Sequence, residues 1–401
     1  MVTGIVTSKI LAIYVGPTGL ALVGNFRNFL ATLDTITSLG FQNGIVKYVS
    51  ENKLNSSYIK NIFSTLFTTL IVVSILAGIG LYLFADYWNS IIFGVQYQFS
   101  MIFKVSAFVL PLYIGSGYLI CIVNGFNLYK KVIYINILGS LFGLGITIYF
   151  VSTYSLTGAL LSILFTPIVL FFISIALSYK QLNFQKNITL FKYDIEILKN
   201  LSHYFLMIII SGILGQVVLI AIRNNIINTI GLKEAGFWEA ITRVSSNYMV
   251  FLNTLLSVYF FPKLVNATTA IESKLVIWKF YNKIIPIFIL GLIILFFFRD
   301  FIVQILFTKE FKPVSKLFLW QMIGDLLKAI SWILGLQFFA KKMTLAFIIT
   351  DIISLLILYF SSFYFLKYYN IEGVVIAQAF AYFIYLTILI FYFRKILFYN
   401  K

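Results

Sequence analysis

The chain has 401 residues, of which 61% are hydrophobic, 18% aromatic and 11% charged. Soluble chains carry about 25% charged residues, so this composition excludes a soluble globular domain and reads as a polytopic membrane protein with little mass outside the bilayer. The formal net charge of +17 would suit nucleic acid, but the cations fall in short loops on alternate sides of successive apolar runs, the positive-inside pattern.

Taken in order, residues 1–15 form a first apolar run broken by Lys9. Fifteen helical residues reach about 22 Å, short of the roughly 30 Å hydrocarbon core. With no basic leader and no small-residue cleavage site, the run is not expected to be a signal peptide. It is expected to be a first span shortened at its start, with an upstream start codon. The second span, 19–47, is unusually polar. Arg27 and Asp34 lie seven residues apart, two helical turns, and so share a face with Asn28, Thr35 and Ser38 nearby. A charge at the bilayer centre costs about 3 kcal/mol on insertion scales, so this helix needs a protein-lined or wet interior to face. A soluble segment between two spans is the alternative, but the loops on either side would then have no helix to connect them.

Further spans are expected at 61–84, 101–124, 132–151, 156–178, 201–230, 236–261, 284–298, 314–340, 345–366 and 373–393, twelve in all. Runs this long read as helices, because an open sheet cannot satisfy its edges in lipid. With the C-terminus in the cytoplasm, eighteen of the 30 cations fall on the cytoplasmic side, six outside and six within spans. The inverted arrangement breaks the rule in nearly every loop, so both termini are expected in the cytoplasm. The long loop at 179–200 then separates two six-span lobes, 1–178 and 201–401. They resemble one another. Lys9, Gly16, Gly19, Arg27 and Lys47 follow in one half as Arg223, Gly231, Gly236, Arg243 and Lys263 do in the other. This predicts a parallel repeat with a site between its halves; chance likeness between apolar helical pairs is the alternative.

Charges within spans are the candidate functional residues. Arg223 precedes Asn224 and Asn225; Glu239 and Arg243 are four apart; Asp325 and Lys328 are three apart; Asp351 stands early in the eleventh span. Such pairs can simply hold helices together. That reading explains Lys9, Arg27 and Arg223 poorly, since none has an acid three or four residues away. Excess cation in the interior points to an anionic cargo, with Arg supplying bidentate phosphate recognition and amides meeting sugar hydroxyls. Lys9, Asn25, Arg27, Asn28, Arg223, Asn224 and Arg243 are the candidate substrate-binding residues. Asp34, Glu239, Asp325, Lys328 and Asp351 are candidate coupling residues or structural pairs. Arg27 and Arg243, equivalent in the two halves, are expected to face one another. Cys121 reads as a buried hydrophobe and His203 as interfacial. The outer loops are short, and Asp86 and Glu310 lack an acidic partner, so no catalytic residue is assigned. No metal, cofactor or phosphate-binding loop is expected.

Several segments also carry a resemblance: Gly16-Pro17-Thr18-Gly19-Leu20, Asn25-Phe26-Arg27, Asn43-Gly44 with Lys47-Tyr48-Val49, Phe261-Pro262-Lys263-Leu264, and Leu319-Trp320-Gln321 with Gly324-Asp325 and Lys328. Together they resemble the Wzx-type O-antigen and lipid III flippases, within the multidrug/oligosaccharidyl-lipid/polysaccharide exporter superfamily. The resemblance implies two six-helix lobes around a central cavity. It also implies a polyprenyl-diphosphate-linked oligosaccharide as cargo, moved from the cytoplasmic to the periplasmic leaflet of a bacterial inner membrane by alternating access. Membrane lipid and a polysaccharide polymerase complex would be its other partners. A drug or cation antiporter of the same superfamily, a membrane polysaccharide polymerase and a scaffold for polysaccharide assembly are the alternatives. Excess acid would favour the antiporter, a carboxylate pair or metal the polymerase, and a missing cavity the scaffold.

Overall fold

The computed structural model describes residues 2–39, 41, 45–46, 49, 56–126, 128–182 and 194–398. Lys47, residues 183–193 of the expected loop at 179–200 and the side chain of His203 lie outside the described residues. The described residues form helices joined by turns and short loops, without a strand. α1 (Val2–Tyr14) and α2 (Gly16–Thr37) are followed by α3 (Ser56–Leu83), the short α4 (Ala85–Ile92), α5 (Ser100–Gly125) and α6 (Tyr129–Leu182). Then come α7 (Ile195–Thr229), α8 (Leu232–Leu255), a π-helical turn (Leu256–Phe260), α9 (Phe261–Asn266) and α10 (Ala270–Phe297). The chain closes with α11 (Arg299–Leu306), a 3₁₀ helix (Lys309–Leu317), α12 (Phe318–Ala340), α13 (Thr344–Tyr392) and α14 (Arg394–Phe398).

Seven of the described helices are long and apolar enough to cross a membrane. Two of them, α6 and α13, are each broken by one non-helical residue, Ser155 and Asn370. With those two divided, each of the twelve segments expected from the sequence contains a helix, although α2 ends at Thr37, short of the 47 expected for the second span. Many large side chains on them point outward, among them Leu275, Ile287, Leu290 and Phe297 of α10. In water such a surface would aggregate; in lipid it is the solvated face. Hydroxyls within the helices return to their own backbone, as Thr35 Oγ1 does to Ala31 O at 2.9 Å and Thr147 Oγ1 to Gly143 O at 2.8 Å. The ninth span is longer than expected. α10 begins at Ala270, where Thr269 and Glu272 form a capping box. The basic first turns around Lys274 and Lys279 masked its helical start in the hydropathy pattern.

Three backbone landmarks repeat at a fixed interval. Gly16 and Gly231, 215 residues apart, both take positive φ, 67° and 125°, where a side chain would be strained. The eight-residue helices α4 and α11 begin 214 residues apart, each directly after a long helix. Ser155 and Asn370, again 215 apart, break α6 and α13 with φ of 49° and 48°. Three residues after each break stands a glycine, Gly158 or Gly373, whose added Cβ would collide with the carbonyl of Phe150 or Phe365.

The chain divides into two compact units, one comprising Met1–Gly24 and Val218–Lys401, the other Asn25–Val217. In the first, α1 packs beside α11, and Phe307 and Phe311 stack with ring centroids 4.9 Å apart under Phe237 of α8. In the second, Phe26 and Phe29 of α2 meet Phe103 of α5 edge-on at 5.9 and 5.4 Å. Rings at these separations and tilts add to the burial that holds the helices together.

Candidate functional site

The densest charge cluster lies inside the first unit, on α7 and α8. A tight turn at Gly231 folds the two helices back on each other and sets their polar residues side by side. Arg223 Nη2 donates to Glu239 Oε2 at 2.7 Å, and Arg243 Nε donates to Glu239 Oε1 at 2.8 Å. One carboxylate thus bridges two guanidiniums. Relative exposure is 2% for Arg223, 4% for Glu239 and 9% for Arg243. The Arg223 guanidinium also lies 5.0 Å from the centre of the Trp238 ring. Gly24 provides the room, since a Cβ there would overlap the Glu239 carboxylate and the Arg223 guanidinium. Gly236 allows the close approach at the start of α8, where a Cβ would strike the carbonyl of Pro17. The Glu239–Arg243 pair is visible in the i,i+4 spacing. That Glu239 also holds Arg223 is not, because the two are sixteen residues apart in sequence. Asn224, next along α7, is half-buried.

A second polar cluster surrounds Asp325 of α12, which is 1% exposed. Its carboxylate accepts from Ser245 Oγ at 2.6 Å, from the Tyr248 hydroxyl, from Gln321 Nε2 at 3.1 Å and from Gln378 Nε2 at 3.3 Å. Gly324 lets α12 approach the second arm of α13, where a Cβ would come within 3.2 Å of the Ala379 backbone nitrogen. Lys328 does not close an ion pair with Asp325. Its ammonium sits over the rings of Trp332 and Tyr382, at 5.1 and 5.6 Å. Sequence reading missed Ser245, Tyr248 and Gln378, which come from other helices. Gln321 carried a signal, an amide four residues before a carboxylate in an apolar helix. Asp351, in the first arm of α13, lies near enough to Tyr385 to interact electrostatically.

The remaining candidates are placed elsewhere. Lys9, expected as an uncompensated cation beside the others, donates to the backbone carbonyls of Gln304, at 2.9 Å, and Phe307. The C-terminal carbonyls of α11 attract it, as the negative end of a helix attracts a cation. In the second unit, Asn25 is fully buried and donates to Ile92 O at 2.9 Å, tying the end of α4 to α2. Arg27 is exposed and Asn28 half-buried, with its amide nitrogen enclosed and unbonded among the described residues. Asp34 is half-buried and within electrostatic reach of Tyr113 and Cys121. Among the described residues no group of three or more His, Cys, Asp or Glu could hold a metal ion.

Comparison with known proteins follows the same lines. The family described as "Polysaccharide biosynthesis protein" matches residues 1–268. A lipid III flippase from Escherichia coli (strain K12) is 25% identical over 352 residues, covering 87% of this chain and 84% of that protein. Among solved structures, the inward-facing conformation of a multidrug resistance MATE family transporter of the MOP superfamily superposes with a TM-score of 0.82 at 13% identity, covering 100% of this chain and 96% of that one. The inward closed conformation of the lipid II flippase MurJ gives 0.70 at 15% identity, covering 99% and 87%. The chain therefore shares the helical fold of these transporters.

Proposed function

Because this chain belongs to the polysaccharide biosynthesis protein family, we propose that it flips a polyprenyl-diphosphate-linked oligosaccharide from the cytoplasmic to the periplasmic leaflet of a bacterial inner membrane. The observation that carries this reading is the buried Arg223–Glu239–Arg243 triad, two guanidiniums held by one carboxylate, in a chain 25% identical to a lipid III flippase. A desolvated guanidinium is a strong partner for a phosphate, since it offers two parallel N–H donors and cannot be deprotonated. Glu239 holds both guanidiniums in place before the cargo arrives, so less ordering is needed on binding.

In this reading Arg27 and Asn28 of the second unit contribute to the same cargo, and Asn224 meets its sugars. The acids Asp34, Asp325 and Asp351 either couple the transport step to an ion or hold helices in register. The lobes are 1–178 and 201–401, as the repeating landmarks support, and they alternate access to the two leaflets. Both termini lie in the cytoplasm, and a polysaccharide polymerase complex is the partner that would receive the product.

The test is flipping in vesicles reconstituted with the purified protein and a panel of polyprenyl-diphosphate glycans. Arg243→Ala is expected to lower the flipping rate at least about tenfold at equal protein level, and Arg27→Ala to lower it in the same direction. Arg243→Lys should recover only part of it, since the planar fork is lost. Wild-type rates in the double Arg→Ala variant would end the cationic-site reading. The similarity in fold to a MATE family transporter supports a second reading, a drug or cation antiporter. The same vesicles distinguish it: cation uptake without glycolipid flipping would favour the antiporter.

A further inference from the structure

A second cationic feature lies in the first unit, away from the triad. α1 carries Lys9 to the end of α11, where two backbone carbonyls take two of the three N–H groups of its ammonium. The amine stands at the wall of a cavity of about 640 Å³. Asp300, Thr308, Lys309, Lys312 and Ser315 contribute to the other walls, so three lysines oppose one aspartate.

Three of these residues come from the 3₁₀ helix Lys309–Leu317. A 3₁₀ helix has three residues per turn, so positions i and i+3 lie over one another. Lys309, Lys312 and Ser315 therefore form one row, which an α-helix would have fanned apart by about 60° at each step. Lys309 and Lys312 are exposed, whereas Ser315 is only 9% exposed. The Ser315 hydroxyl has no hydrogen-bond partner among the described residues. A buried hydroxyl left unbonded is costly, and this one lines a cavity where a ligand oxygen could accept from it. The row thus runs from two solvated ammoniums down to a dry donor, with Lys9 fixed at the side.

We propose that this cavity is a second anion site, taking the phosphate of a lipid head group. By the charge asymmetry of the loops it lies on the outer side of the membrane. Two sources share that chemistry, an anionic phospholipid and a polyprenyl diphosphate. For a diphosphate the site would hold the cargo's head group after transfer, which rests on the flipping proposal; for a phospholipid it stands alone.

The experiment uses the full chain in phosphatidylcholine nanodiscs, titrated with phosphatidylglycerol and, separately, with a short polyprenyl diphosphate, with bound lipid read by native mass spectrometry. Lys309→Gln/Lys312→Gln is expected to weaken binding about tenfold. Both side chains are exposed, so the variant is expected to fold. A loss confined to phosphatidylglycerol identifies the phospholipid, a loss confined to the diphosphate identifies the cargo, and a loss for both supports a general phosphate site. The titration is repeated in the Arg243→Ala background, which removes diphosphate held at the triad and keeps failure of the flipping proposal separate from failure of this one. Unchanged affinity of the double variant for both probes overturns the proposal. So does wild-type binding of both probes no tighter than that of phosphatidylcholine.

Discussion

Glu239 carries more of the structure than its neighbours do, because it is the sole acid in a buried group of three. Removing one member of a buried ion pair leaves a charge uncompensated and costs about 3–5 kcal/mol. Glu239→Gln is therefore expected to destabilise the protein by about that much, as measured by thermal unfolding in detergent. Glu239→Gln/Arg243→Gln should recover part of the loss, since one of the two guanidiniums that lost Glu239 is gone. If the double variant is no better than the single, charge is not the cause. Gly24 tests the same group through space rather than charge. A Cβ at Gly24 meets the Glu239 carboxylate and the Arg223 guanidinium, so Gly24→Val should cost about 1–3 kcal/mol and lower membrane abundance. An equivalent substitution at Gly80, where an added Cβ meets nothing within 4 Å, is the control.

At the scale of helices, the decisive features are the reversals that divide α6 and α13. Ser155 and Asn370 hold φ near 50° with ψ of −119° and −141°, a region natural to glycine. Ser155→Gly and Asn370→Gly should each stabilise by up to about 1 kcal/mol, because the strain is relieved at a small entropic cost. Asn370→Val should destabilise, since a β-branched side chain tolerates positive φ least. Thermal unfolding of the set gives the order Gly, wild type, Val; any other order contradicts the strain argument. The third landmark, the pair α4 and α11, is legible only in part. The sequence shows Asp86 and Asp300 after long apolar runs, but an eight-residue helix is too short for periodicity to reveal.

For the whole molecule, the orientation in the membrane is the property that charge predicts and geometry leaves open. Cys121 is the single cysteine, which makes labelling direct. In a Cys121→Ala background, Glu310→Cys is expected to react with an impermeant maleimide on intact cells. Lys342→Cys is expected to react only after the membrane is opened. The reverse pattern would invert the topology and put the cavity beside Ser315 on the cytoplasmic side. Flipping measured in the same preparations shows whether the cysteine-free chain keeps its transport step.

The sequence by itself determined the class and the span pattern. Transfer of long apolar runs into lipid is a sum over local residues, so hydropathy needs no tertiary information. The matching turns at Gly16 and Gly231 were visible too, because a turn's backbone demand is written in a single residue type. The tertiary structure alone decided which charges meet. Glu239 and Arg243 share a helix and could be paired from spacing, but Arg223 reaches Glu239 across a turn. Asp325 gathers Ser245 and Tyr248 from α8 and Gln378 from α13. Lys9 was drawn to carbonyls that no composition reveals, since every helix end has them and only packing chooses one. In a low-dielectric interior a buried polar group without a partner is costly, and which partner a group finds is settled by helix packing.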